Sequence, residues 1–173
     1  MNFDKLSKNR YSMRNFSNEK IPAEMLAQIL EAGRVAPTAK NLQPQRILVV
    51  QDEERLKQMS EICSCIFGAA TVLVVCSENG AAWESPFDGR NSGEMDASIV
   101  ATHMMLQAAD IGVGSCWVCY LDREKMAELL QIPEQYTLQC LLVMGMPGEK
   151  AAPSERHNKR FALDKTVWFE KFK

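Results

Sequence analysis

Between Glu94 and Ile111 the chain reads as one long helix with almost no solvated side. Ile99, Val100, Met104, Met105, Leu106, Ala108 and Ala109 make it apolar over most of its circumference. Such a helix is buried, either in a core or against another subunit. The other elements must be arranged around it. Ile47–Val50, Thr71–Cys76 and Thr137–Gly145 are continuous aliphatic and β-branched runs, read as strands covered on both faces. Helices are expected at Phe3–Asn9, at Glu53–Ile62 and at Arg123–Leu130, the last capped by Asp122. Another begins at Pro22, which has no N–H to lose in a first turn. Met25, Leu26, Ile29 and Leu30 give it an apolar stripe, and Pro37 ends the segment. Helices and strands do not alternate regularly, so the expected class is α+β rather than a doubly wound sheet. The 173 residues, without repeat or linker, suit a single domain.

Charge narrows the partners. The formal net charge is -2 and the basic residues are scattered, which argues against nucleic acid and against an anionic membrane surface. The longest apolar run, Ala69–Cys76, is too short to cross a bilayer. Met1–Arg10 shows no apolar signal core, so the expected compartment is the cytoplasm, where six cysteines are most simply free thiols.

Three polar segments are candidates for a ligand site. In an extended Arg10-Tyr11-Ser12-Met13-Arg14, Arg10, Ser12 and Arg14 share one edge. Two guanidinium forks around a hydroxyl match phosphate oxygens in charge and geometry. Ala36-Pro37-Thr38-Ala39-Lys40-Asn41-Leu42-Gln43-Pro44 is a restrained loop of small residues, open to a flat ligand. The Asn41 and Gln43 amides can each donate and accept, as the pyrimidine edge of a flavin requires. Gly112-Val113-Gly114-Ser115-Cys116-Trp117 ends the long helix, with Gly112 at the C′ position and Gly114 allowing close backbone approach. Each segment also has a plain reading as a solvated face, a turn or a connection. Glu78–Gly93, rich in Gly, Pro, Ser and Asn, is the longest loop and a candidate cover. The tail, Pro147–Lys173, is polar and basic before it ends in Val167, Trp168, Phe169 and Phe172. Those aromatics need a surface, on their own domain or on a second subunit.

Taken in order, Arg-x-Ser-x-Arg at 10–14, Ala-Pro-Thr-Ala-x-Asn-x-Gln-Pro at 36–44, Gly-x-Gly-Ser-Cys-Trp at 112–117 and a basic tail after Gly145-x-Pro147 resemble the nitroreductase family. The resemblance covers nearly the whole chain. It implies FMN as cofactor and NADH or NADPH as electron donor. It implies a three-layer α+β fold with a central, mostly antiparallel sheet flanked by helices. It also implies a homodimer with exchanged tails, residues 147–173 wrapping the partner. By resemblance, Arg10 and Ser12, with Tyr11 between them, hold the phosphate and ribityl end, and Arg14 lies near the flavin N1 and O2. Pro37, Thr38, Ala39 and Asn41 come from the other subunit, with Gln43 nearby. Trp117, Val118, Cys119 and Tyr120 pass their backbone by the flavin N5, and Arg160 closes over the phosphate. Candidate acceptors are nitroaromatics, quinones and similar conjugated electrophiles, reduced in a ping-pong cycle. Glu78–Gly93 replaces the longer helical cover of larger members.

No side chain is expected to serve as catalytic acid or base. His103 reads as a satisfied core histidine and His157 as a solvated one. A Cys116-x-x-Cys119 dithiol is a rival reading, but in a strand residues three apart face opposite sides. Metal ligation by Cys63, Cys65, Cys116 and Cys119 is weaker still, because Cys-x-Cys is a poor zinc spacing and its flanks are apolar. A flavin-binding protein without turnover is the third rival.

Overall fold

The computed structural model describes residues 2–172. Nine principal elements follow in chain order: α1 (Phe3–Asn9), α2 (Ala23–Arg34), β1 (Gln45–Val50), α3 (Glu53–Ile62), β2 (Thr71–Glu78), α4 (Gly93–Asp110), β3 (Gly114–Val118), α5 (Arg123–Leu130) and β4 (Tyr136–Gly145). The strands form one antiparallel sheet in the order β1-β2-β4-β3. β2 and β4 are central, which explains the unbroken apolar runs Val72–Cys76 and Cys140–Met144 within them.

Alternation along these strands splits the core into two layers. Val72, Val74, Cys76, Leu141 and Val143 face α3 and α5, meeting Leu56, Met59 and Met126. Leu73, Val75, Leu142 and Met144 face α2 and α4, meeting Ile29, Val100, Ala101 and Met104. Between Leu138 and Cys140 the register shifts by a bulge at Gln139, which sends those two residues to opposite layers. The result is helix, sheet, helix, the expected α+β arrangement.

Three expectations need correction. Pro22 is the N-cap of α2 and Ala23 its first residue. β1 is an edge strand, and Leu48 is 42% exposed, so this run is not covered on both faces. α4 is buried along Ala97, Val100, Ala101, Met104 and Ala108, but Met95, Ile99 and His103 are exposed. The histidine expected in the core instead lines an open groove of about 660 Å³ with Phe3, Val35 and Leu106. This single chain leaves one stripe of its longest helix uncovered.

The end of the tail does not fold back. From Phe161 to Phe172 every residue is exposed, Phe169 and Phe172 at 84% each. The Trp168 and Phe172 rings pack edge-on at 5.2 Å, against each other rather than the domain.

Candidate functional site

Residues 10–14 are extended, as the alternation requires. The arm is seated on β3: Ser12 bridges Ser115 in parallel, and the Met13 N–H donates to the Ser115 carbonyl at 2.9 Å. Met13 is buried, Tyr11 packs against the same core, Arg10 and Ser12 are half-buried and Arg14 is exposed. Arg14 Nη1 donates to the Ser12 carbonyl at 3.2 Å. Among the described residues neither arginine has a carboxylate partner. Cys116, on β3, reports their nearness. Burial pushes its thiol pKa up, while the Arg14 charge, a bond with the Ser12 hydroxyl and the Arg10 charge pull it back. Arg10 also lines a cavity of about 240 Å³ with Asn9, Ala109, Gly112, Ser115 and Pro147. The Ser115 hydroxyl is buried there without a partner among the described residues.

The glycines of 112–114 have distinct duties. Gly112 sits at φ +84, a left-handed turn that ends α4 as expected. Gly114 admits a close neighbour, but that neighbour is Met13: a Cβ here would collide with the Met13 side chain. Gly114→Ala should therefore unseat the arm and cost about 1–3 kcal/mol, the usual range for overpacking. Thermal unfolding of Gly114→Ala, Met13→Ala and the double variant checks this. The double variant should lose less than the sum of the single losses.

The 36–44 loop contains a short 3-10 turn, Ala39–Asn41. Lys40, Asn41 and Gln43 have φ of 50, 55 and 53, and none is glycine. Such backbone costs of order 1–3 kcal/mol per residue and persists only where its surroundings impose it. The Thr38 hydroxyl accepts the Gln43 N–H at 3.0 Å, and the Gln43 side chain donates to the Asn41 carbonyl at 3.3 Å. Pro37 is exposed, as are Asn41 and Gln43. The Ala39 N–H donates to Asp96 at 2.8 Å. Sequence reasoning passed over Asp96, because an acid in the first turn of a helix reads as ordinary dipole complementation.

These two groups lie at opposite ends of α4. Ala39 bonds Asp96 in the first turn, whereas Arg10 shares its cavity with Ala109 at the last. Roughly 20 Å of helix separates those positions at 1.5 Å per residue.

Trp117 and Val118 end β3, and Cys119 and Tyr120 follow exposed, Tyr120 at 82%. The Trp117 indole N–H points at Cys119 Sγ, 3.2 Å away. Arg160 is exposed and donates to the Arg156 and Lys159 carbonyls within its own tail. His157, expected to be solvated, is half-buried with its ring edge-on to Tyr11 at 6.2 Å. That contact brings the start of the tail to the arm.

The thiols do not form a dithiol centre. Cys116 is buried in the α3/α5 layer, and Cys119 is exposed beyond the strand. No three His, Cys, Asp or Glu side chains among the described residues converge to hold a metal. Burial pushes Cys76 up to about 11 and Cys140 up to about 12, so neither is a thiolate at neutral pH. Iodoacetamide at pH 7.5 should label exposed Cys119 first and spare Cys76 and Cys140 until the protein unfolds. Peptide mass spectrometry reads this directly; equal labelling of Cys76 and Cys119 would contradict the burial.

Among the described residues no helix is long and apolar enough to cross a membrane. The nitroreductase family model matches residues 7–67 and 58–146. A nitroreductase family protein from Clostridium difficile 630 superposes with a TM-score of 0.93 at 38% identity, covering 99% of this chain and 100% of that one. A protein of Archaeoglobus fulgidus, provisionally named NADH dehydrogenase/NAD(P)H nitroreductase, is 33% identical over 150 residues, 82% of this chain and 83% of its own length. The FMN reductase [NAD(P)H] of Bacillus subtilis is 30% identical over 163 residues, 84% of this chain and 66% of its own. The arm on β3, the antiparallel sheet and these matches agree: the chain belongs to the nitroreductase family.

Proposed function

We propose that this chain is a homodimeric FMN-dependent NAD(P)H oxidoreductase that reduces nitroaromatic, quinone or similar conjugated acceptors. The observation that carries the reading is the unpaired cationic edge at one end of α4 and the strained amide loop at the other. The Arg10 guanidinium and the Ser12 hydroxyl suit a phosphate, the Arg14 guanidinium suits the negative charge of a reduced pyrimidine edge, and neither arginine is neutralised by a carboxylate among the described residues, so the donor set fits FMN. A second copy, pairing its exposed α4 stripe antiparallel with the first, brings its 36–44 loop beside that edge. Two equivalent sites then form from two incomplete halves, with the Met95, Ile99 and His103 stripe covered.

Bound there, FMN supplies the two-electron transfer from the nicotinamide to the acceptor. The protein supplies position and charge. Arg10 and Ser12 hold the phosphate and ribityl end, and Arg14 places positive charge near the pyrimidine edge. Pro37, Thr38, Ala39, Asn41 and Gln43 of the partner subunit close the other side, and the Trp117–Tyr120 backbone flanks the ring. The tail covers the partner and carries Arg160 toward the phosphate. The relatives named for NAD(P)H and FMN support both the donor and the cofactor.

Purified protein should be yellow and release FMN, identified by mass. NADH or NADPH should bleach it, and an acceptor should restore the colour. Initial rates should give the parallel reciprocal plots of a ping-pong cycle. Apoprotein that fails to take up FMN would overturn the site. Bound flavin that no nicotinamide reduces would leave a binding protein.

A further inference from the structure

We propose that Asp96 is the positioning residue of the flavin-facing loop, holding its strained backbone and locking it to the 79–92 cover; this rests on the function proposed above. Asp96 is 2% exposed, and both its oxygens are used. Oδ1 accepts the Ala39 N–H at 2.8 Å, across 57 residues of sequence. Oδ2 accepts the Ser92 O–H at 2.7 Å. The Ser92 hydroxyl in turn accepts the Trp83 N–H at 3.1 Å, while the Ser92 N–H donates to the Trp83 carbonyl at 2.8 Å. One carboxylate thus joins the 36–44 loop, the first turn of α4 and the middle of the long loop. A second contact ties the same segments from outside: Lys40 Nζ lies 5.9 Å from the centre of the Trp83 ring.

The chemistry explains why an acid stands here. The turn at Lys40 and Asn41 needs left-handed backbone, which Asn tolerates better than Lys, so the strain falls chiefly on Lys40. A hydrogen bond to a carboxylate is stronger than one to a neutral acceptor, and in a buried place it gains further. Fixing the Ala39 N–H inward therefore fixes the backbone on either side, at Thr38 and Lys40, and with it the turn that carries Asn41. Asp96 touches no ligand itself; it acts through Ala39 and Ser92.

The test uses the full chain with Asp96→Ala and Asp96→Asn. Asparagine keeps an oxygen for Ala39, and its amide can donate to Ser92, whose hydroxyl rotates. Hydrogen exchange on the flavin-free proteins is the first readout. Asp96→Ala should lose protection in peptides spanning 36–44 and 79–92 while β2 and β4 keep theirs, and Asp96→Asn should restore most of it. FMN affinity, followed by flavin fluorescence, is the second. Asp96→Ala should bind at least about tenfold more weakly, with Asp96→Asn between it and the original protein because its oxygen still accepts from Ala39 but carries no charge. Unchanged protection, loss spread evenly over β2 and β4, or unchanged FMN affinity in Asp96→Ala would each overturn the proposal. If the unmodified chain takes up no FMN, the proposed function fails, and with it the ligand-positioning role, while the exchange data still decide whether Asp96 holds the loop.

Discussion

Arg10→Ala is expected to strip FMN from the protein without unfolding it. Arg10 has no carboxylate partner among the described residues, so its removal leaves no buried charge unpaired. A charge-assisted hydrogen bond to phosphate contributes about 1.5–3 kcal/mol, so the dissociation constant should rise about 10- to 150-fold. Thermal unfolding of the flavin-free protein should be unchanged, because the buried residues of the arm are Met13 and Phe16. Arg14→Ala should act differently. Loss of positive charge near the pyrimidine edge disfavours the anionic reduced form more than the neutral oxidised one, and the reduction potential should fall. If the flavin stays bound at the same potential, Arg14 has no such role.

Truncation after Asp164 should break the dimer and release FMN together. Trp168, Phe169 and Phe172 are removed, and each contributes roughly 1.5–3 kcal/mol where it is buried, less the cost of ordering the tail. In the single chain Phe169 and Phe172 are almost bare, so their loss costs this domain little core. Sedimentation should show the dimer dissociating at least about 100-fold more readily, with flavin content falling in step, because the proposed site draws on two chains. A truncated dimer that keeps its FMN would make the tail an appendage.

The sequence was most legible where burial is two-sided. Val72–Val75 and Leu141–Met144 are apolar at every position because α2 and α4 cover one face and α3 and α5 the other. Leu48 was misread because an apolar run looks the same whether its outer face meets the same chain, a partner or water. His103 failed for a related reason: on a helix apolar nearly all round, only tertiary packing decides which stripe stays outside. Of the arm, the sequence showed an apolar residue set among polar ones, and Met13 is indeed buried while Arg14 is exposed. What occupies the space above Gly114 was not, because Met13 lies some hundred residues away along the chain. The bond from Ala39 to Asp96 was hidden in the same way. Local pattern shows which residues could face a ligand, and long-range hydrogen bonds decide what holds them there.

The arm's attachments also set the order in which the molecule is assembled. Met13 bonds Ser115, Ser17 bonds Met146, and Asn15 receives the Gly148 and Lys150 N–H groups. Each closes a loop of more than about a hundred residues, whose entropy must be overcome before the contact returns anything. Contacts of that span are costly to form before the sheet has gathered their partners, so the arm is expected to dock after the sheet. The reverse path follows the same geometry: the arm's bonds lie outside the β2–β4 pairing, and it can lift away while that pairing stays intact. A ligand that binds the docked arm and not the lifted one would therefore also hold it on the sheet.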